Sequence, residues 1–246
     1  MGIRPLAVAL VGFVSFSAGA WAQTPGVRVL ASNGIRAVFQ DLAPKTDADF
    51  NSSTVLKQKI DAGEAFDVAI VTSDMMDTLV KEGKIAAGSR VELARAGVGV
   101  GIRKGAAKPD IRTAAAIKQT LLKAKSITYA DDGASKVYVI KMLERLGIAD
   151  EIGKKTMREQ GSGRATARVA DGSAELVLTL TSEILPVPGI ELVGPLPAEF
   201  QNYIGFSAGV GAKAKNPEGG KALIQVLAGP GNEGKYKAKG MEALKK

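Results

Sequence analysis

Polar chemistry in this chain is concentrated in four turns rich in Ser, Thr, Asn and Gly. These turns are Ser32-Asn33-Gly34, Ser52-Ser53-Thr54, Gly133-Ala134-Ser135 and Gly161-Ser162-Gly163. A helix N-terminus presents unpaired N–H groups and the positive end of the helix dipole, so four such ends that converge would bind an oxyanion without a formal counter-charge. A simpler interpretation stays open, because Ser, Thr and Asn are also favoured helix caps.

The composition argues against catalysis at these turns. The 246 residues include no His and no Cys, which removes the usual general base, thiol nucleophiles and the commonest ligands of transition metals. Gly97-Val98-Gly99-Val100-Gly101 lies inside a strand pattern and opens no helix, so it is not a dinucleotide-binding loop. We therefore expect a binding protein without enzyme activity, cofactor or metal. A hydrolase or lyase that uses Asp74 or Asp131 is the enzymatic alternative.

The charge of the chain favours a small anionic partner over nucleic acid. Lys and Arg exceed Asp and Glu by 33 to 25, for a net charge of +8, and only 5% of residues are aromatic. The basic residues are scattered, whereas nucleic-acid-binding proteins group them on one face and add aromatic residues for stacking. We expect no nucleic-acid partner.

The N-terminal segment has the pattern of a cleavable signal peptide. Arg4 precedes an apolar stretch from Leu6 to Phe16, and Ala20-Trp21-Ala22 supplies small residues before Gln23. This order of a charged, an apolar and a small-residue region is typical of secretory signals, and the apolar stretch is too short to span a membrane comfortably. We predict cleavage after Ala22, with residues 1–22 removed, and a soluble, monomeric, periplasmic mature protein.

The rest of the chain alternates strand and helix patterns. The predicted strands are 27–31, 47–51, 66–72, 91–103, 126–130, 175–181, 190–193 and 203–212, and the predicted helices are 35–42, 52–63, 73–80, 113–123, 137–146, 161–169 and 217–227. Such alternation is the signature of an α/β sheet with right-handed crossovers.

Two long extended segments divide this α/β chain into two lobes. Val91–Arg103 and Tyr203–Ala212 are predicted to be hinge strands that join the lobes. The predicted first lobe comprises residues 23–98 plus 204–246, and the second comprises residues 99–203. In open α/β sheets the ligand crevice lies beyond the carboxyl ends of the strands, so the four polar turns would meet in the cleft between the lobes.

The chain resembles the periplasmic molybdate-binding proteins of ABC transporters and their type II solute-binding relatives. Leu30–Leu42 is similar to the family's first strand and helix, and the serine-led segment Ser52–Gly63 followed by Phe66–Ile70 is similar to its second helix and third strand. Val137–Gly147 resembles the helix that opens the family's second lobe. The resemblance covers nearly the whole mature chain and implies the two-lobed periplasmic binding protein fold, type II.

The resemblance also implies a ligand and a set of contacts. In this family two serines, backbone N–H groups and a tyrosine hold a tetrahedral oxyanion without a metal. The corresponding positions and their immediate neighbours here are Ser32, Asn33, Gly34, Ser53, Thr54, Ser135, Gly163, Arg164, Leu180 and Thr181. The family's first serine falls at Gly34 and its tyrosine at Leu180, so two of the contacts are altered.

These matches predict an extracytoplasmic receptor that delivers a small solute to a membrane ABC permease. Molybdate or tungstate is the solute that the resemblance implies. A small organic acid paired with Arg164 is an alternative, because a guanidinium recognises carboxylates in bidentate fashion. A binding-deficient interaction or sensor module is a further alternative, favoured by the altered positions Gly34 and Leu180.

Overall fold

The structure is a computed structural model that describes residues 26–244. The predicted signal peptide and its cleavage site lie outside the described residues. The strands are β1 (Val29–Ser32), β2 (Ala48–Asn51), β3 (Val68–Thr72), β4 (Val91–Arg103), β5 (Ile127–Ala130), β6 (Thr156–Glu159), β7 (Leu176–Leu180), β8 (Ile190–Pro195), β9 (Tyr203–Val210) and β10 (Met241–Ala243). The helices are α1 (Arg36–Leu42), α2 (Ser53–Asp61), α3 (Ser73–Lys81), α4 (Ala114–Lys123), α5 (Lys136–Arg145), α6 (Ala149–Gly153), α7 (Ser162–Ala170), α8 (Thr181–Ile184), α9 (Pro217–Leu227) and α10 (Glu233–Ala238).

Each predicted strand and helix has a counterpart in the structure. The helix predicted from residue 35 begins at Arg36, after a short 3₁₀ turn over Asn33–Ile35. Five short elements have no counterpart among the predictions, namely β6, β10, α6, α8 and α10. Periodicity is a weak signal in elements of three to six residues, and these five were missed for that reason.

The strands follow the order β2-β1-β3-β9-β4-β7-β5-β6, while β8 and β10 also pair with β4. Strands β1, β2 and β3 are parallel, as are β5, β6 and β7. Residues 68–71 of β3 are buried as a continuous run, as expected for a parallel strand that is covered on both faces. The architecture is a mixed α/β fold of two lobes, as the sequence predicted.

The thirteen-residue strand β4 runs through both halves of the molecule. Its residues up to Gly97 pair with β9, and its residues from Val98 onward pair with β7. We propose that the halves divide into a first lobe of residues 23–98 plus 204–246 and a second lobe of residues 99–203.

The second crossing between the lobes is made by the segment that leads into β9. Its Gln201 replaces a strand partner, because its side chain accepts from the Val98 N–H at 2.9 Å and donates to the Val98 carbonyl at 2.9 Å. Strand β9 itself pairs with β3 and with the first-lobe part of β4. Strand β4 and the segment that leads into β9, which are the two connections between the lobes, are therefore held together at Val98.

No helix within residues 26–244 is both long enough and apolar enough to cross a membrane.

Candidate functional site

A cavity of about 480 Å³ lies between the two lobes, and we call it the interlobe cavity. Its walls come from the 3₁₀ turn, α1 and β2 of the first lobe and from α7, α8 and residues 186–188 of the second lobe. The lining residues are Asn33, Arg36, Ala37, Gln40, Phe50, Gln160, Gly161, Ser162, Gly163, Arg164, Thr166, Ser182, Glu183, Pro186, Val187 and Pro188. Of the ten residues predicted for the site, Asn33, Gly163 and Arg164 line this cavity, while Ser32, Gly34, Ser53, Thr54, Ser135, Leu180 and Thr181 do not.

Apolar packing occupies the place where the resemblance implies two hydroxyl ligands. A Cβ atom on Gly34 would lie 2.4 Å from Phe206 Cζ and 3.1 Å from Leu180 Cδ1. Leu180 is only 1% exposed. Gly34 and Leu180, both predicted for the ligand site, therefore lie close together. The lobes meet there by apolar contact, and the space beside Gly34 is too small for a serine side chain.

The serines of the second polar turn have structural partners. Ser52 caps α2 by accepting from the Val55 N–H at 3.3 Å, and Ser53 Oγ accepts from the Thr72 N–H at 3.0 Å. Thr54 is exposed in the first turn of α2. Ser32 is buried before the 3₁₀ turn, and its side chain makes no capping hydrogen bond.

Three buried hydroxyl groups in the second lobe have no hydrogen-bond partner among the described residues. Thr128 is 0% exposed, Ser135 is 1% exposed and Ser182 is 3% exposed, and the hydroxyl oxygen of each is unpaired. A buried polar group without a partner costs about 1–3 kcal/mol, so unpaired hydroxyls indicate places where a ligand can bind. Ser182 lines the interlobe cavity, and sequence reasoning did not select it.

The Thr181 side chain forms hydrogen bonds between the lobes and does not line the interlobe cavity. Its hydroxyl donates to the Gly240 carbonyl at 2.7 Å and lies 3.3 Å from the Gly97 carbonyl. These bonds link the start of α8 in the second lobe to two segments of the first lobe. The role of Thr181 as a ligand contact stays a prediction.

Two arginines, one from each lobe, face the interlobe cavity. Arg36 stacks over the Phe50 ring at 4.7 Å and donates to Asn33 Oδ1 at 3.0 Å. Arg164 is exposed in the first turn of α7, and its guanidinium has no hydrogen-bond or ion-pair partner within residues 26–244. Because each guanidinium can form paired hydrogen bonds to a carboxylate, the two suit an anion with carboxylates at both ends.

Helix α7 directs its N-terminus toward the same cavity. Gly161 has a positive φ of 83°, and no side chain caps the helix there. The Gly161 N–H donates to Asp132 Oδ1 at 2.7 Å, which fixes the turn. The N–H groups at this end, together with the unpaired Ser182 hydroxyl, provide neutral donors for an anionic ligand.

Glu183 is the acidic residue of this cavity, and sequence reasoning missed it. Its carboxylate accepts from Ser162 Oγ at 2.7 Å and also from Thr179 Oγ1. Burial raises the pKa of Glu183, Asp132 nearby raises this pKa further, and hydrogen bonding to the carboxylate opposes the rise. Among the described residues no cation forms a salt bridge with Glu183.

The acids that the sequence offered for an enzymatic alternative lie outside the cavity lining. Asp74 is exposed in the first turn of α3, and Asp131 pairs with Lys136 Nζ at 2.9 Å. The one signal for Glu183 in the sequence is an acid placed three residues after the end of a buried strand, which is a common helix-start pattern.

The chain matches a known family over most of its length. The family described as bacterial extracellular solute-binding protein matches residues 27–242. This chain belongs to that family. An aconitate isomerase of Pseudomonas sp. is 33% identical to this solute-binding protein over 213 residues, which are 81% of each chain.

Solved structures that share this fold are named for different ligands. The periplasmic molybdate-binding protein of Azotobacter vinelandii has a TM-score of 0.74 at 16% identity, over 89% of this solute-binding protein and 100% of that chain. L-phospholactate-bound PEB3 has a TM-score of 0.65 at 16% identity, over 88% and 99%. A periplasmic thiamin binding protein has a TM-score of 0.63 at 13% identity, over 87% and 81%. The likeness establishes the fold and leaves the solute open.

A larger cavity of about 780 Å³ in this solute-binding protein is lined only by second-lobe residues between Ile102 and Leu176. None of the predicted site residues lines it. Within the described residues no group of three or more acidic side chains is placed to hold a metal ion.

Proposed function

We propose that this solute-binding protein captures a small organic anion with two or more carboxylates in the interlobe cavity and delivers it to a membrane ABC permease. The observation that carries the proposal is the pair Arg36 and Arg164, which approach one cavity from opposite lobes. Closure of the lobes would bring both guanidinium groups onto one ligand, and the permease would recognise the closed form.

The same cavity has a suitable size and neutral donors for such a ligand. About 480 Å³ falls within the usual range of ~300–1,000 Å³ for small-molecule sites. The free N–H groups of α7 and the Ser182 hydroxyl add donors beside Arg164. A polycarboxylate would therefore meet charged and neutral donors along its length.

Molybdate or tungstate, the solute implied by the sequence resemblance, has weaker support. A buried dianion needs nearly every oxygen satisfied, because each unmade hydrogen bond costs about 1–3 kcal/mol. At the two family positions that supply hydroxyl groups, this chain has Gly34 and Leu180, and Phe206 fills the space beside Gly34. These residues offer no side-chain donor.

The name of the 33% identical relative also supports a carboxylate ligand. Aconitate is an unsaturated tricarboxylate, and that relative is named for its isomerisation. Isomerisation of the bound polycarboxylate is therefore a second candidate function of this chain. Proton NMR of the free ligand before and after incubation with the mature protein tests this second function, because conversion would change the ligand's resonances.

Thermal unfolding of the mature protein in the presence of different anions tests the primary proposal. A ligand at ~100 times its dissociation constant adds about 2.7 kcal/mol of stability. We expect stabilisation by at least one di- or tricarboxylate and none by molybdate, tungstate, sulfate or phosphate. Stabilisation by molybdate and tungstate alone would contradict the proposal, and absence of any effect across the panel would favour a binding-deficient sensor module.

Several accompanying expectations stay proposals. The family is extracellular by description, and we propose that this chain reaches the periplasm through cleavage after Ala22. We also propose that it acts as a monomer, because one chain supplies both sides of the cavity.

A further inference from the structure

We propose that Glu183 transfers a proton between two carbon atoms of a bound unsaturated polycarboxylate, so that the interlobe cavity catalyses migration of a double bond. This inference rests on the proposed function, because it requires a polycarboxylate ligand in the cavity. It assigns a reacting group to a chain in which the absence of His and Cys removes the usual general base.

The placement of Glu183 is the first argument. Glu183 is partly buried in the wall of the interlobe cavity, which Arg36 and Arg164 also line. A buried carboxylate is normally paired with a cation, yet within residues 26–244 Glu183 has only neutral donors as partners. A buried carboxyl group in a cavity wall without a counter-charge indicates a functional role.

The hydrogen bonds orient this carboxylate and leave it able to react. Ser162 Oγ donates to Oε1 at 2.7 Å, and Thr179 Oγ1 donates to Oε2. An ionised carboxylate has about four acceptor positions, so these two donors leave acceptor capacity for a substrate proton. Burial raises the pKa of Glu183, and a raised pKa makes a carboxylate a stronger base at neutral pH.

The neighbours of Glu183 can stabilise the charge that proton removal creates. Loss of a proton from a carbon next to a carboxylate places negative charge on that carboxylate. Arg164, the free N–H groups at the start of α7 and the unpaired Ser182 hydroxyl lie in the same cavity. Fixed donors of this kind stabilise an enolate-like transition state.

The proposed step is balanced and needs no other reactant. Ionised Glu183 removes a proton from a CH₂ carbon that lies between a carboxylate and the double bond. The C–H electron pair forms a new C=C bond to the central carbon, and the electrons of the old double bond move to the far carbon and its carboxylate. Protonated Glu183 then returns the proton to that far carbon, so the product is an isomer of the substrate.

The experiment follows deuterium incorporation into cis-aconitate in D₂O by proton NMR, with binding measured in parallel by calorimetry. Glu183→Gln preserves the shape of the side chain, replaces one acceptor oxygen by an NH₂ donor and removes the base. Glu183→Asp keeps the charge but withdraws it by one methylene. The control is Glu144→Gln, the same change at an exposed position of α5.

We expect wild type and Glu144→Gln to incorporate deuterium and to form the isomer. Glu183→Gln should lose at least ~100-fold of this rate while its dissociation constant changes by less than ~3-fold, and Glu183→Asp should be intermediate in rate. Binding by wild type with neither isomer formation nor deuterium exchange, or an unchanged rate of isomer formation in Glu183→Gln, overturns the inference and leaves the proposed function intact. Failure of wild type to bind any polycarboxylate overturns both.

Discussion

The buried carboxylate of Glu183 gives the stability of this solute-binding protein a specific pH dependence. Because burial raises its pKa in the folded state, the folded chain binds more protons than the unfolded chain between the unfolded pKa of ~4.3 and the higher folded pKa. The free energy of unfolding contributed by Glu183 therefore falls as pH rises through this interval.

Glu183→Gln removes this titration. We expect the free energy of unfolding of the variant, relative to wild type, to increase as pH rises from ~4 to neutral, since only wild type then carries the buried charge. Urea denaturation of both proteins at several pH values measures the difference. A difference that stays constant with pH would mean that the carboxylate is not desolvated as described.

Gly34 gives a second prediction at the scale of a single residue. Gly34→Ser introduces the side chain that the sequence resemblance implies at this position, and its Cβ would lie 2.4 Å from Phe206 Cζ. Overpacking of a core usually costs ~1–3 kcal/mol, so we expect a loss of this size in urea denaturation. The matched control is Gly153→Ser, because a Cβ there meets no atom within 4 Å.

The two glycine variants separate crowding from any general effect of the substitution. We expect Gly153→Ser to change stability by no more than ~0.5 kcal/mol, as is usual for surface positions. Equal stability of Gly34→Ser and wild type, together with a gain of molybdate binding, would show that the lobes open enough at Gly34 to form the oxyanion site implied by the resemblance.

At the scale of elements, the turn between β7 and α8 connects the lobes. Thr181→Val should cost about 1–3 kcal/mol, because it leaves the Gly240 and Gly97 carbonyls without the hydroxyl donor that contacts them. Affinity for the solute should change little, since Thr181 does not line the interlobe cavity. Thr181→Ser retains the hydroxyl and is the matched control.

Urea denaturation and calorimetric titration of these variants distinguish the two roles of Thr181. A hinge residue loses stability in Thr181→Val and recovers much of it in Thr181→Ser. Abolished solute binding at unchanged stability would instead make Thr181 the ligand contact that the sequence resemblance implied.

The regular elements were predictable from sequence because their signals are local. The buried run in β3 and the serine-capped α2 follow from hydrophobic pattern and capping preference within a few residues. The thirteen-residue span of β4 also stood out, since its alternating apolar residues continue past the usual strand length.

The contacts of the site were predictable only in part because they depend on distant segments. Asn33, Gly163 and Arg164 were selected from turns and resemblance, and they line the interlobe cavity. The packing of Phe206 against Gly34 and the bond from Thr181 to Gly240 join residues far apart in sequence. No local pattern predicts such pairs. Glu183 was not predicted as a site residue because an acid in the first turn of a helix is common.

Capture of a polycarboxylate in the interlobe cavity requires the two lobes of the molecule to close on the ligand. In this structure the lobes touch where Leu180 and Phe206 pack at Gly34. We expect the ligand-free protein to sample more open forms and a saturating polycarboxylate to decrease the radius of gyration measured by small-angle X-ray scattering. Identical scattering with and without a bound ligand would contradict closure as the response to binding.

Calorimetric titration of a tricarboxylate into wild type, Arg164→Ala and Arg158→Ala tests most directly whether Arg164 binds a polycarboxylate in the interlobe cavity. Arg158 is exposed on β6 and does not line the interlobe cavity, so both variants lose one positive charge and differ only in its position. A hydrogen-bonded charge pair is worth ~1.5–3 kcal/mol, which is about 10- to 150-fold in affinity. We expect that loss of affinity for Arg164→Ala and wild-type affinity for Arg158→Ala. Equal affinities in all three proteins, or tight binding of molybdate with none of the tricarboxylate, would contradict the proposal.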